Sequence, residues 1–552
     1  MPALAATFAA IDIGSNSCRL KIARVVAHRL KTLHEDREVT RLGTSVFETG
    51  LVSPDAMALT LRALKRFQRA VQLHGADQIR VVATSAMRDA RNAQAFMTWA
   101  KAETGWTIEI ISGLEEARLI HRGVITNEPG TQGRVLLIDV GGGSCEITLS
   151  EHKRIRDTIS LPLGAVRLTQ EFIPMDPPSE EGLARMKQFI ARELRRAHRR
   201  IQPGAVPLVI ATSGTAAALA ESYTTLVKPE PATRPRAGAR KSVVAGSRSS
   251  GILRKILAGA GSGSGTGSAS AAAHEITTQQ QVRRLATKLR KMNMVQRSAV
   301  PGIGPKRAEI IVAGAFVYAE LLETFDLAGF RYSDLGLRDG ILAQMLAERD
   351  DRATVHLQFE QERWESVLGT AKRYGVNLRQ AEPVKHHAEQ LFRDLATLHK
   401  LPAEYGNWLA AAAMLSETGK FLNHQGHHRH TQYIISSSEI YGYTVQQRTI
   451  ISAIARYLGK TRPQPGDRAM RNIPTQEHPN VHKSIVLLRL AGALNQDRAS
   501  DVLHVVARVY PKRVLLELEP GRTGAELELW SLRKEADYFR EVFGRELFVT
   551  LL

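Results

Sequence analysis

The sequence predicts an α/β core built from two related halves, then an all-helical region and a small C-terminal α+β segment. Three observations carry this. Apolar runs of strand length alternate with stretches of helical spacing over the first 226 residues. Two runs of nearly the same form, AAIDIGSNSCRL (9–20) and LLIDVGGGSCEITL (136–149), lie about 125 residues apart. From 352 to 500 the chain reads as one helix after another, and beyond 501 strand-like alternation returns.

Taken in order, TFAAIDIGSNSCRLKIARVV (7–26) reads as two β runs joined by a polar turn at Gly14, Ser15 and Asn16. Residues 54–76 have helical spacing through Met57, Leu61, Leu64, Phe67 and Val71. IRVVATSAMRD reads as strand and turn, followed by a helix through Ala93 and Trp99, and TIEIISGLEEARLIHRGV as strand, turn and helix. RVLLIDVGGGSCEITLS repeats the N-terminal hairpin, and VPLVIATSGTAAALAES is strand, glycine turn and helix. Residues 282–350 return to helical patterns; DVLHVVARVY and RVLLELEP read as late strands, with a helix near 533–543.

Residues 227–275 break the pattern. Between Lys228 and Lys255 eight Lys or Arg face one acid, and AGAGSGSGTGSASAAA follows. Such a segment buries too little apolar surface to order itself and is expected to be a disordered basic insertion. Its GSGSGTG follows no strand, so it is not taken as a dinucleotide loop.

Length allows three or four domains. Of the 552 residues 43% are hydrophobic, so sizeable cores are possible, and no apolar run approaches the ~18–20 residues that span a bilayer. No basic segment precedes the first strand, so no signal peptide is expected. Two cysteines, Cys18 and Cys145, exclude a disulfide framework and fit a reducing cytoplasm. The net charge of +20 favours anionic partners: nucleic acid, nucleotides, polyphosphate or acidic lipid.

The paired hairpins carry the chemistry. Each ends an apolar strand in an aspartate, Asp12 or Asp139, and follows it with a turn of small residues: Gly14, Ser15, Asn16 and Ser17, or Gly141, Gly142, Gly143 and Ser144. Successive N–H groups in such a turn bind phosphate oxygens, and glycine allows an anion close approach. The aspartates, and Glu146 near the second turn, can hold a metal ion or orient water. Two such hairpins suggest two half-domains closing on a phosphate chain.

With these residues in place the chain resembles the exopolyphosphatase / guanosine pentaphosphate phosphohydrolase family of the actin-like ATPase superfamily. The stretches that carry the resemblance are AAIDIGSNSCRLKIARV, ATSAMRDARNA, IEIISGLEEARLIHRGV, LLIDVGGGSCEIT, LPLGAVRL, ATSGTAAALAE and DLGLRDGIL, in family order over about 1–345. The resemblance implies two actin-like (ribonuclease-H-like) subdomains, 1–130 and 131–350. It also implies a degenerate HD-like helical domain over 351–500, with 501–552 as the C-terminal segment. Glu116 matches the general base that activates the attacking water, with Glu115 as its alternative, and Arg88 the arginine that reaches the phosphate chain. Asp139 and Glu146 match carboxylates associated with Mg²⁺, and Asp12 is expected as a metal residue with them. Ser213, Gly214 and Thr215 match a third small-residue turn at a helix start, where the dipole favours anions. The expected substrate is inorganic polyphosphate or (p)ppGpp, the expected assembly a homodimer, with no membrane partner.

Two further stretches suggest other partners or chemistry. VPGIGPKRAEIIVAGA (300–315) resembles a helix-hairpin-helix element for DNA, but the family has a similar helix start here, so nucleic acid is not the expected partner. In the helical region Ser416-Glu417 and Ala491-Gly492 stand where an HD metal site needs His-Asp and a later Asp. That domain is expected to form a non-catalytic wall of a polyphosphate channel, lined by His427, His428, Arg429 and His430. The rival reading from another class is a regulator that binds alarmone or nucleic acid without turnover.

Overall fold

The computed structural model describes residues 6–226, 276–459, 461–464, 466–497, 502–520 and 524–552. The basic insertion expected at 227–275 lies outside the described residues. The chain divides into two compact units, Met1–Met345 and Leu346–Leu552.

The first unit holds two sheets. β1 (Thr7–Ile13), β2 (Cys18–Val26), β3 (Arg29–Glu38), β4 (Gln78–Ala83) and β5 (Ile108–Ile110) lie in the order β3-β2-β1-β4-β5. β6 (Arg134–Val140), β7 (Cys145–Glu151), β8 (Arg154–Leu161), β9 (Leu208–Thr212), β10 (Ile276–Thr278) and β11 (Gly329–Tyr332) lie in the order β10-β11-β9-β6-β7-β8. In both sheets the hairpin strands pair antiparallel and the next two strands run parallel to the first. β8-β7-β6-β9-β11 therefore repeats β3-β2-β1-β4-β5, the two related halves that the paired hairpins predicted.

β1 and β6 are central strands and are apolar almost throughout, as strands covered on both faces must be. The helix Pro54–Leu73 follows its predicted spacing: Leu61, Leu64, Phe67 and Val71 are buried, Ser53 caps its start, and Pro54 sits where its missing N–H costs nothing. The helix Gly113–Asn127 starts at Ser112, whose Oγ accepts from the Glu115 N–H at 3.1 Å. That cap fixes Glu115 and Glu116 in the first turn.

In the second unit, helices from His356 to Ala493 and a three-stranded sheet share one core. The sheet is β12 (His504–Val509), β13 (Arg513–Glu519) and β14 (Glu546–Leu551), in that order, with the helix Glu526–Phe543 between the last two. Val505, Leu516, Leu518 and Phe539 join Leu409, Ile451 and Leu487 in that core. β14 pairs parallel with β13, which requires the intervening helix as a crossover. Among the described residues no helix is long and apolar enough to cross a membrane.

Candidate active site

A cleft of about 420 Å³ lies within the first unit. Both hairpin turns, the start of the helix Gly113–Asn127, the turn after β9 and the segment Tyr332–Asp339 line it. The hairpin turns are closed alike: the Gly14 N–H donates to the Ser17 carbonyl at 3.1 Å, and the Gly141 N–H to the Ser144 carbonyl at 3.0 Å. The register differs in charge. Asp12 stands across from Arg19, whereas Asp139 stands across from Glu146.

Packing by itself accounts for two of the three adjacent glycines, Gly142 and Gly143. None of them has a left-handed φ. A Cβ on Gly143 would lie 2.0 Å from Ser85 Oγ and 2.7 Å from Ser15 Oγ, and one on Gly142 would lie 3.0 Å from Ser15 Cβ. Glycine is needed here because the second turn packs directly onto the first and onto the segment after β4. Arg167 ties this joint together: its Nε donates to the Gly143 carbonyl at 2.8 Å, and it pairs with Asp89.

Of the residues singled out in sequence, Asp12, Gly14, Ser15, Asn16, Ser17, Glu116, Asp139, Gly141, Gly142, Gly143, Ser144, Ser213, Gly214 and Thr215 line the cleft. Arg88 and Glu146 stand just behind that lining, and Glu115 is not part of it. Arg88 Nη1 donates to the Ile111 carbonyl at 2.6 Å and to Glu116 Oε2 at 3.2 Å. Glu146 is buried, with Oε1 accepting from Ser160 Oγ at 2.7 Å. Asp139 Oδ2 accepts from Thr212 Oγ1 at 2.6 Å. Ser213, with φ of 69°, turns its hydroxyl onto the Val140 carbonyl, a left-handed conformation held for a non-glycine residue at the cleft wall.

Four carboxylates thus share one poorly hydrated space, and their pKa values show it. Burial, with the Asp139 charge adding to it and Arg19 opposing, raises Asp12 to about 6. Burial and then the Asp139 charge raise Glu146 to about 7. Burial and the Glu146 charge push Glu116 well above the usual carboxylate range, against the pull of Arg88. Burial also raises Asp139. Asp12 Oδ1 and Glu146 Oε2 are buried without a hydrogen-bond partner. Among the described residues no three His, Cys, Asp or Glu converge on one point. Mg²⁺ does not need that, since it keeps several waters and takes one or two carboxylates together with substrate phosphates. The orphaned oxygens and the raised pKa values fit such a cation.

Sequence reasoning missed the other charge in the cleft. Arg19, Arg37, Arg307 and Arg338 also line it. Burial first, then Arg19 and Arg338, lower Arg37 to about 10; burial, then Arg37 and Arg19, lower Arg307 to about 9. Arg37 Nε and Nη2 are buried without a hydrogen-bond partner. Arg307 comes from the PGIGPKRAE stretch weighed above for DNA, where Gly302 and Gly304 take left-handed φ of 84° and 61° to shape its turns. A Cβ on Gly214 would lie 1.4 Å from Arg307 Nη2, so that small-residue turn is also a seat for this guanidinium. DLGLRDG, quoted above without roles, supplies Asp334, Arg338 and Asp339 to the wall.

Cys18 and Cys145 are buried, and burial pushes the Cys18 thiol up to about 12, far from thiolate at neutral pH. His427 and His428 line a separate pocket in the second unit, where Arg429 is exposed and, like His430, not part of the lining.

Comparison with known proteins agrees with this geometry. Residues 21–349 match the model of the Ppx/GppA phosphatase family, and residues 363–536 that of Ppx/GppA phosphatase, domain III. An exopolyphosphatase from Cytophaga hutchinsonii is 24% identical, with 62% of this chain and 98% of that one covered and a TM-score of 0.51. An exopolyphosphatase-like protein is 25% identical, covering 61% and 96%, also at 0.51. The Aquifex aeolicus member of the Ppx/GppA family is 28% identical, covering 62% and 99%, at 0.47. With both family models matched in order along a doubled fold that closes on one charged cleft, the chain belongs to the Ppx/GppA phosphatase family and is a phosphoanhydride hydrolase.

Proposed function

We propose that the chain is a magnesium-dependent exopolyphosphatase that releases orthophosphate from the end of inorganic polyphosphate. The observation that carries this is one cleft lined both by the acids Asp12, Glu116 and Asp139 and by four arginines, with further carboxylates at Glu35, Asp36, Asp334 and Asp339. A linear polyanion suits the arginines, and its reacting end suits the acids once a cation offsets them.

In this reading Glu116, oriented by Arg88, takes a proton from a water as that water's oxygen bonds to the terminal phosphorus. The bond from phosphorus to the bridging oxygen breaks, and the shortened chain leaves with the electron pair. Arg88 keeps Glu116 in place and favours its ionised form. The N–H groups and hydroxyls of the two turns hold the terminal phosphate oxygens. Asp139 and Glu146, with Asp12, would hold Mg²⁺, which when bound supplies positive charge against those oxygens.

A second reading, hydrolysis of the 5′ phosphate of guanosine pentaphosphate, is favoured by Tyr332, an aromatic ring in the cleft lining. A regulator without turnover fits less well, because it has no use for the four acids. Orthophosphate release from polyphosphates of defined length and from guanosine pentaphosphate, for wild type and Glu116→Gln with and without Mg²⁺, separates the three. Full activity in Glu116→Gln sinks the assigned base. The homodimer and the HD-like character of the helical region belong to the same proposal, the first open to sedimentation.

A further inference from the structure

A second hollow, of about 450 Å³, lies wholly within Leu346–Leu552. The helices Leu378–Asp394, His478–Ala493 and Glu526–Phe543 wall it, together with the turn Thr418–Phe421 and the start of the helix His427–Ser437. Ser416, Glu417 and Gly492, which stand where an HD site needs metal ligands, line this hollow. Among the described residues no three His, Cys, Asp or Glu converge in this hollow.

Most of its charge is matched from within. Arg489 pairs bidentately with Glu535, at 2.7 and 3.0 Å, and Lys420 pairs with Glu417. Lys534 has no carboxylate partner among the described residues; its ammonium sits 3.0 Å from the centre of the Trp530 ring. That indole is 58% exposed. The His428 ring is pressed against Gly459, where a Cβ would lie 2.6 Å from it, and its Nδ1 is buried without a hydrogen-bond partner. Burial holds this imidazole neutral, with its pKa lowered to about 4. Asn495 and Gln496 add amide groups.

One cation without a carboxylate partner among the described residues and one exposed indole do not suit a polyanion, which needs several unmatched cations. They suit a planar heteroaromatic that carries a single anionic group. A base on the indole and a phosphate on the ammonium would satisfy both partners of the Lys534–Trp530 contact at once. We propose that this hollow is a binding site for a nucleoside monophosphate, with Lys534 on the phosphate and Trp530 under the base.

The test uses the full chain, titrated by calorimetry and tryptophan fluorescence with AMP, GMP and UMP, and separately with inorganic phosphate and tripolyphosphate. At least one nucleoside monophosphate should bind saturably and quench fluorescence. Trp530→Phe should remove the quench, and Lys534→Ala should weaken binding about tenfold. Both variants should keep wild-type melting and phosphate release. Glu116→Gln should leave this binding unchanged, which separates it from the cleft of the first unit. The proposal is overturned if no monophosphate binds at millimolar concentration, or if Lys534→Ala and Trp530→Phe bind like wild type. Binding of inorganic phosphate or tripolyphosphate alone at this site overturns it too.

Discussion

Arg88 holds Glu116 through a single guanidinium nitrogen that also donates to the Ile111 carbonyl, so the carboxylate is anchored to the backbone that precedes its own helix. Glu116→Gln keeps the shape and removes the base. Under the proposed mechanism kcat should fall by about 10²–10⁴-fold with KM little changed. Steady-state orthophosphate release checks it, and a KM effect alone would move Glu116 from catalysis to binding.

The raised pKa of Glu116 sets a pH dependence. The base acts only when ionised, so the acid limb of kcat/KM should lie above the range of an ordinary carboxylate. Arg88→Ala removes the charge that favours ionisation and should move that limb further up. An acid limb in the range of an ordinary carboxylate, in either protein, would mean that another group carries it.

Stability should run the opposite way to an acid-labile protein where these carboxyls dominate. Asp12 and Glu146 bind protons more tightly folded than unfolded, with values of about 6 and about 7. Between roughly pH 4 and 7 the native state therefore holds more protons, and stability falls as pH rises through that window. Glu146→Gln should raise the melting temperature at pH 8 without metal, by the equivalent of about 1–3 kcal/mol. Added Mg²⁺ should stabilise the wild type more than the variant. Calorimetry with and without EDTA reads both.

His387 predicts the reverse slope in the second unit. It is buried at 1% exposure with neither ring nitrogen hydrogen-bonded, and burial, then His386, lowers it to about 4. Its contribution is full above about pH 6.5 and is lost as pH falls toward 4. His387→Leu should reduce the acid sensitivity of unfolding between those values. An unchanged slope would assign the sensitivity to other groups.

The arginine cluster predicts a length effect. Arg307→Ala should raise KM for long polyphosphate about tenfold and leave that for the shortest substrates nearer wild type. Raising salt should narrow the gap, as screening removes what the guanidinium supplied. Equal losses at all chain lengths would place Arg307 at the reacting end.

What the sequence disclosed followed local rules. The hairpins stood out because glycine and serine beside a strand-end aspartate make a compact pattern, and the helix of Glu116 because TIEIISGLEEARLIHRGV reads as strand, turn and helix. β3 and β8 were missed. Their residues, RLKTLHEDRE and RIRDTISL, are charged and half-exposed, so they lack the alternation of a strand with one buried face. β11 and β14 are short strands whose partners lie far away or beyond a helix. Arg19, Arg37, Arg307 and Arg338 were invisible as a group because four separate segments bring them together, and any one of them alone reads as a solvated side chain. The alternation of Cys18, Arg19 and Leu20 was the available signal, since register places Arg19 opposite Asp12.

That pairing has a wider meaning. The two hairpins share strand order, turn and closing hydrogen bond, yet where one sets arginine opposite its aspartate the other sets glutamate. A backbone repeated twice would by itself give a cleft with interchangeable sides. The exchange of one charge helps to give it a front and a back, so that under the proposed function a phosphate chain lying across it would meet unlike surroundings at its two ends. A catalyst that trims from a terminus, as proposed for this chain, needs that sense of direction, and the residue that follows a cysteine in each half contributes to it.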